Sequence, residues 1–419
     1  MVAGTSFGYP YGQGAAARAH LYAKALQAAG FEPLVVSLLL PSGKSPAATE
    51  PAAGVYDGVP YEYACGTRTR PDSFLRRRLL SVRLAARLVS LTRGLSDGAA
   101  EPGAVIVYSE SSCWMTCLAL VARACGAVTL LDVCEFPLVG RIGEGGALQR
   151  WVRRALVYPL FDGVIPISTF LAGYVRAHAL SPRTLLVPVM VDSDLFRPAP
   201  ERRPGGPRVL YCGALGRLPE VERVVRGFAA VREHVPGARL VVVGDGPPDR
   251  VAQAHELVAA LGLHEHVTFT GAVERDRLPD VYASADVFVL PRARGLFSTA
   301  GLPNKMGEYL AMGRPLVVSA VGDVSRYVED GVSAYLFDAD ADDVFVARLR
   351  DALEDHTGAA QVGAEGRRVA EHELDYRHHA PRLARFLSDL VAQRSRRRPW
   401  RGRRPTGDPD AGPTAKGAW

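Results

Sequence analysis

Residues 291–318 read PRARGLFSTAGLPNKMGEYLAMGRPLVV, and one acid in this stretch, Glu308, is well set for chemistry. An apolar run over 285–290 reads as a strand, and a Gly/Pro-rich loop leads from it into a short helix. The helix is expected to begin at about Asn304 and to stop at Gly313. Arg314 and Pro315 then enter a second strand, LVVSA. That order places Glu308 at the carboxyl edge of a parallel sheet, where open α/β sheets bind ligands. Pro303, Asn304 and Lys305 would bring backbone N–H groups to the helix start, whose dipole favours an anion such as a diphosphate. Glu308, one turn further in, could accept hydrogen bonds from the paired hydroxyls of a ribose. A solvated glutamate beside an ordinary glycine cap is the plainer alternative.

The complete string favours the ligand. It resembles the donor-binding signature of family 4 glycosyltransferases of the GT-B fold, in which a glutamate near such a helix start contacts the nucleotide ribose. An aromatic residue, an A-x-G turn and a Pro-Val-Val strand follow that glutamate in the family. Glu308, Tyr309, Ala311, Gly313, Pro315, Val317 and Val318 match position by position. The family often carries an earlier acid where Ala300 stands here. A subset with the form P-x-K-x-x-E-Y commonly lacks it, and Pro303, Lys305, Glu308 and Tyr309 fit that form.

The resemblance implies an α/β chain of the GT-B type: two Rossmann-like domains with parallel sheets facing across a cleft. A nucleoside diphosphate sugar would sit on the second domain and a hydroxyl acceptor on the first. It also implies retention of anomeric configuration without a metal or any cofactor beyond the sugar nucleotide as co-substrate. Such a reaction needs positioning and stabilisation of the leaving group more than an enzymic nucleophile.

Other segments extend the resemblance. Gly12 and Gly14 lie in a loop before a helix, where backbone without side chains lets a ligand approach. In LVVVGDGP, Gly244 and Asp245 would lie at the sheet edge near the donor. The family's diphosphate clamp, Gly-Arg-Leu followed by Lys-Gly, is altered: the chain has CGALGRLPEVERVV, with Ala214 in place of the Arg and Pro219-Glu220 in place of Lys-Gly. Arg217 could stand in for one cation and Arg292 or Lys305 for another. The expected site is therefore Glu308 and Arg217 for catalysis, with Gly12, Gly14, Gly244, Asp245, Arg292, Pro303, Asn304, Lys305 and Glu308 for donor binding. The family often has a histidine near DVCEFP; here Asp132, Cys134 and Glu135 are the polar candidates, and sequence does not choose among them.

The 419-residue length suits two domains and a tail, and 48% hydrophobic with 22% charged residues is ordinary globular composition. No apolar run reaches the length of a bilayer span, and the amino-terminal residues carry no secretory pattern. A cytoplasmic protein is expected, with peripheral contact at the inner membrane face as an addition. The six cysteines form no C-x-x-C pair and read as buried, reduced thiols. The net charge of +6 is carried by residues 394–419, which hold seven Arg, one Lys and two Asp. No nucleic-acid partner is expected, and the oligomeric state is left open.

Strand and helix patterns alternate on both sides of a linker at 198–207. They divide the chain into an acceptor-side domain (1–197), a donor-side domain (208–375), a helix crossing back to the first domain (376–393) and a basic, disordered tail (394–419). A helix at 74–95 with Arg76, Arg83 and Arg87 near one face reads as a packed helix with a charged outer stripe, or less simply as a membrane-surface helix. His264, His266, His378 and His379 read as surface residues. The Asp192/Asp194 and Asp338/Asp340 pairs lie away from the expected donor. Two rival functions share these features: a catalytically impaired homologue that binds a sugar nucleotide or a partner protein, and a sugar-nucleotide epimerase.

Overall fold

The computed structural model describes residues 1–4, 8–10, 12, 14–38, 51–67, 74–94, 103–109, 111–136, 151, 153–178, 183–198 and 206–397. Within them the chain forms two α/β units, each built on its own sheet. The first sheet has the order β3-β4-β2-β1-β5-β6-β7-β8. Its strands are Val2–Gly4 (β1), Val35–Ser37 (β2), Ala53–Tyr56 (β3), Val59–Tyr63 (β4), Ala104–Tyr108 (β5), Val128–Val133 (β6), Gly163–Pro166 (β7) and Arg183–Thr184 (β8). All its pairings are parallel except the β3/β4 hairpin.

The second sheet is wholly parallel, in the order β11-β10-β9-β12-β13-β14. Its strands are Arg208–Cys212 (β9), Arg239–Val243 (β10), Val267–Gly271 (β11), Val287–Leu290 (β12), Leu316–Ser319 (β13) and Tyr335–Phe337 (β14). Renumbered within the unit this is 3-2-1-4-5-6, the doubly wound order in which the sequence of strands across the sheet reverses between β9 and β12. A crevice must open outside the carboxyl ends of those two strands. Their apolar residues are fully buried, as strands covered by helices on both faces require.

Two segments join the units and are stitched to each other. Val191 N–H donates to Leu374 O at 2.9 Å and Tyr376 N–H to Val191 O at 3.0 Å. Asp375 accepts from the Ser193 hydroxyl at 2.6 Å and from Arg377, which also reaches Asp194. The last helix, Tyr376–Arg397, packs on the first unit's helix Gly14–Ala28. It runs past the expected end at 393: Arg394 bonds Asp162 and the carbonyl of Arg123, so it belongs to the folded body and not to a tail. The rest of the expected tail, from 398 on, lies outside the described residues.

Several expectations need correction. Of the six cysteines Cys65 and Cys212 are buried and Cys125 and Cys134 half-buried, whereas Cys113 and Cys117 are exposed on the outer face of helix Ser112–Ala124. His379 is buried, its Nε2 against Glu373 O at 2.9 Å, because the interior side of the last helix carries it into the first unit. Four α-helices among the described residues went unseen, Pro248–Ala260, Leu296–Ala300, Val324–Tyr327 and His356–Val369, as did the β3/β4 hairpin. The basic helix Phe74–Gly94 does present Arg83 and Arg87 outward while Leu84 and Leu88 are buried, and Arg87 clasps Glu62 through two bonds. The Arg76 side chain lies outside the described residues.

Candidate functional site

A cavity of about 500 Å³ opens between the two units at the carboxyl ends of β9 and β12. Gly12, Gly14, Arg217, Gly244, Asp245, Arg292, Pro303, Asn304, Lys305 and Glu308 all line it. Each expected site residue therefore reaches one space, although they come from five separate stretches of chain.

Glu308 sits on helix Asn304–Ala311, and its side chain is buried. The next residue, Tyr309, fixes the helix in place. Its ring stacks on Phe288 of β12 with centroids 4.3 Å apart, and its hydroxyl accepts from Cys212 N–H of β9 at 2.8 Å. The aromatic residue after the glutamate is thus a structural pin to the two central strands. Gly313 (φ 65°) reverses the chain after the helix, and β13 follows at once.

The Glu308 carboxylate accepts from Lys305 Nζ at 3.0 Å and from the Tyr282 hydroxyl at 3.0 Å, and Arg275 Nη1 stands 3.5 Å away. Burial alone would push the Glu308 carboxyl up. Lys305 and Arg275, with the two hydrogen bonds, outweigh it and hold the group below the usual carboxylate value. Glu308 is an acceptor-only anion with a set direction, suited to paired hydroxyls. Lys305 is correspondingly committed to Glu308, and its ammonium also lies 5.6 Å from the centroid of the Tyr282 ring.

The start of helix Asn304–Ala311 has no side-chain cap at Pro303. Met306 N–H donates to Pro303 O at 3.0 Å, while the amides of Asn304 and Lys305, both residues of the cavity wall, lack intrahelical acceptors and lie at the positive end of the helix dipole. Gly14 approaches the same corner from the first unit: a Cβ there would lie 2.5 Å from Asn304 Nδ2. On the opposite wall, Gly244 has φ 138°, and a Cβ would lie 1.9 Å from Gly213 O. Only glycine lets the loops after β9 and β10 close against each other there.

The cations are arranged in an unusual way. Arg292 follows β12 and is 6% exposed, and its Nε and Nη2 have no hydrogen-bond partner among the described residues. The nearest acid is Glu220, 3.7 Å from Nε. Arg217, exposed at the start of helix Leu218–Arg232, packs its guanidinium 4.6 Å from the centroid of the Phe297 ring, and Arg292 packs 5.0 Å from the same ring. Burial and then the Arg217 charge push the Arg292 guanidinium below its ordinary value. Two like charges share one aromatic ring, and one of them holds unused donors. That arrangement is costly without an anion and favourable with one.

The first-unit wall carries residues that sequence reasoning did not assign. Asp132 is sealed: Arg18 grips it through Nε at 2.9 Å and Nη2 at 3.0 Å, and Tyr22 donates at 2.9 Å. Arg18 also ties the carbonyls of Val187 and Pro188, so this pair anchors the joining segment. The Cys134 thiol donates to Asp132 at 3.2 Å, and burial raises it far above an ordinary thiol. Glu135 is the remaining polar residue of DVCEFP and lines the cavity. Arg275 and Phe297 had no sequence signal, because an arginine in a turn and a phenylalanine in a one-turn helix, Leu296–Ala300, are common anywhere.

The two units also touch around the cleft. Thr169 N–H and Oγ1 both donate to Asp323 at 2.6 and 2.5 Å, Ser168 Oγ reaches Ala300 O, and the Tyr56 hydroxyl reaches Asp276. Asp192 accepts from Lys24 at 2.6 Å, and Asp338 and Asp340 both hold Arg294. Both acidic pairs are therefore engaged away from the cavity. Among the described residues, no three His, Cys, Asp or Glu side chains are grouped to hold a metal.

Known proteins share this architecture. Residues 206–355 match the family described as glycosyl transferases group 1. A GDP-mannose-dependent α-(1-6)-phosphatidylinositol monomannoside mannosyltransferase of Mycolicibacterium smegmatis is 32% identical over 240 residues, 53% of this chain and 62% of that protein. The sulfoquinovosyl transferase SQD2 of Arabidopsis thaliana is 26% identical over 343 residues, 77% of this chain and 63% of that protein. The chain thus spans less than two thirds of the length of these relatives. A sucrose-phosphate synthase structure from Thermosynechococcus elongatus superposes with TM-score 0.69 at 18% identity, over 94% of this chain and 99% of that one. HepE of Anabaena in complex with UDP superposes with TM-score 0.67 at 16% identity, over 93% and 99%.

Proposed function

We propose that this chain, a group 1 glycosyltransferase of the GT-B fold, moves a hexose-type sugar from a nucleoside diphosphate sugar to a hydroxyl acceptor, with retention and without a divalent cation. The observation that carries the reading is Arg292: a buried guanidinium with unused donors, beside an uncapped helix start and one turn from an oriented carboxylate. A diphosphate fills the first two needs and its ribose the third. The relatives named for GDP-mannose and the neighbour bound to UDP support a sugar nucleotide as the ligand.

In this reading Arg292, Arg217 and the amides of Asn304 and Lys305 take up the charge that develops as the bond from the sugar's anomeric carbon to the diphosphate oxygen breaks. The acceptor oxygen bonds to the same face of that carbon and its proton passes to the departing diphosphate. Glu308 holds the ribose so that the diphosphate lies in register with the cations. Arg292 replaces the cation that the altered clamp lacks, and Glu220 lies beside it at the altered position. Glu135 is the first-unit carboxylate placed to orient the acceptor, since Asp132 and Cys134 are committed to each other and to Arg18.

The test is turnover. Purified protein is incubated with GDP-mannose or UDP-glucose and a panel of lipid, sugar and small-molecule alcohols, with and without EDTA, and the product anomer is read by NMR. Transfer that survives EDTA and keeps the donor's anomeric configuration supports the proposal. Tight nucleotide binding with no transfer from any donor would overturn it in favour of the binding-protein reading, and a changed sugar still on its nucleotide would favour the epimerase.

A further inference from the structure

The two oxygens of the Glu308 carboxylate are not equivalent. Oε2 accepts from both Lys305 Nζ and the Tyr282 hydroxyl, each at 3.0 Å. Oε1 accepts no hydrogen bond among the described residues, and the group that faces it is Arg275 Nη1 at 3.5 Å. That separation gives Coulomb attraction but is too long for a good hydrogen bond. One oxygen of the pair is saturated, and the other still has its lone pairs to offer.

Arg275 is in the complementary condition. It is 9% exposed, lines the cavity and makes no hydrogen bond among the described residues. Apart from Glu308, its guanidinium carbon lies 6.0 Å from the centroid of the Phe196 ring. A buried guanidinium without an acceptor is costly unless a ligand supplies one. Its place is nonetheless fixed from both units. Within its own turn Arg277 N–H donates to Glu274 O at 3.0 Å, and the adjacent Asp276 accepts from the Tyr56 hydroxyl of the first unit.

An open acceptor and an unused donor this far apart define the group that fits between them. An anion would be drawn to Arg275 and repelled by Glu308, and a cation the reverse. A hydroxyl is neutral and serves both: its hydrogen goes to Oε1 while its oxygen accepts from the guanidinium. With O–H···O of about 2.7 Å and N–H···O of about 2.9 Å, its oxygen closes a triangle on the existing gap between Oε1 and Nη1.

We propose that Arg275 is a donor-specificity residue that donates to one ribose hydroxyl of the sugar nucleotide while that hydroxyl donates to Glu308 Oε1. This role rests on the sugar-nucleotide reading above and adds a consequence to it. The cleft tests one pentose hydroxyl twice, as donor and as acceptor. A deoxynucleotide that lacks it leaves both Oε1 and the guanidinium unpaired and is rejected.

The experiment is titration calorimetry of UDP, 2′-deoxy-UDP and 3′-deoxy-UDP with the wild type, Arg275→Met and Arg292→Met. Arg275→Met is expected to bind UDP roughly ten- to a hundredfold more weakly. It should bind one of the deoxynucleotides, the one without the bridged hydroxyl, almost as the wild type does, and lose the other as it loses UDP. Arg275→Lys keeps the charge without the fork and should show the same selective pattern in smaller measure, which covers a methionine variant that fails to fold. Equal losses on all three nucleotides would reduce Arg275 to a distant charge, and losses relieved alike in both deoxynucleotides would mean that it acts only by orienting Glu308. Either result, or undiminished binding of UDP, would overturn the proposal. Arg292→Met separates this failure from that of the donor reading. It should weaken all three nucleotides alike, and if it binds them as the wild type does, the donor reading falls and the role of Arg275 with it. A weakened Arg292→Met beside an indifferent Arg275→Met overturns the role of Arg275 alone.

Discussion

Replacing Arg292 by methionine should move stability and affinity in opposite directions. The guanidinium is 6% exposed, faces Arg217 across one phenylalanine ring, and has a single weak partner in Glu220 at 3.7 Å. Methionine keeps the aliphatic volume and removes a charge that burial and its neighbour disfavour. Replacing an ill-compensated buried charge by a packed apolar group stabilises by about 1–2 kcal/mol. That is expected to raise the melting temperature by a few degrees, roughly 2–4 °C per kcal/mol. The donors lost are Nε and Nη2, and charge-assisted hydrogen bonds of this kind contribute about 1.5–3 kcal/mol each. Nucleotide affinity should therefore fall by roughly two to four orders of magnitude. Thermal melts with and without UDP and GDP, together with titration calorimetry, read both effects. A variant that melts several degrees lower and binds nucleotide like the wild type would show that Arg292 serves the core, and the reasoning would fail.

Glu308→Gln should cost about 3–5 kcal/mol of stability as well as nucleotide binding, because it leaves Lys305 and Arg275 with a neutral partner. The Glu308 carboxyl is lowered in the fold, so its contribution is fully present above the unfolded value near 4.5 and disappears as pH falls through the folded value. Chemical denaturation across that range should show the gap between wild type and variant closing on acidification; a gap independent of pH would contradict the ion pair. His379 is buried and neutral, and burial pulls it down to about 4. The unfolded chain takes up a proton below about 6.5 and the native chain does not, so stability falls from there toward pH 4, by about 3 kcal/mol in all. His379→Gln should flatten that decline, and denaturation midpoints at pH 7 and pH 4.5 would show it. Gly244→Ala meets Gly213 O at 1.9 Å with φ at 138° and should either fail to express as soluble protein or melt far below the wild type. An unchanged melt would mean that the two loops are not closed as described.

The donor corner was legible because its parts are contiguous. Residues 303–318 contain the helix start, the acid, the aromatic pin and the glycine stop in one string, and the structure assembles them in that order. What contributes by long-range contact was not. Arg275 reaches Glu308 from a turn between β11 and β12, and Arg18 reaches Asp132 across 114 residues. Helix His356–Val369 was missed for a physical reason: its three glycines argue against a helix. Gly363 is there because a Cβ would lie 2.6 Å from Gly313 O, so the helix packs directly on the backbone that ends the Glu308 helix. Helix Pro248–Ala260, which follows the glycine-rich turn after β10, begins on a proline, and proline in a first helical turn costs no hydrogen bond. Cys113 and Cys117 were assigned to the core on residue type alone, and the periodicity of Met115, Leu118 and Ala122 shows why that face was already full.

The central claim is most directly tested by a crystal of the protein soaked with UDP or GDP. The account predicts phosphate oxygens within hydrogen-bond distance of Arg292 and of the amides at Asn304 and Lys305, with the ribose hydroxyls on Glu308. A nucleotide ordered elsewhere in the chain, with Arg292 still unpaired beside Phe297, would contradict it.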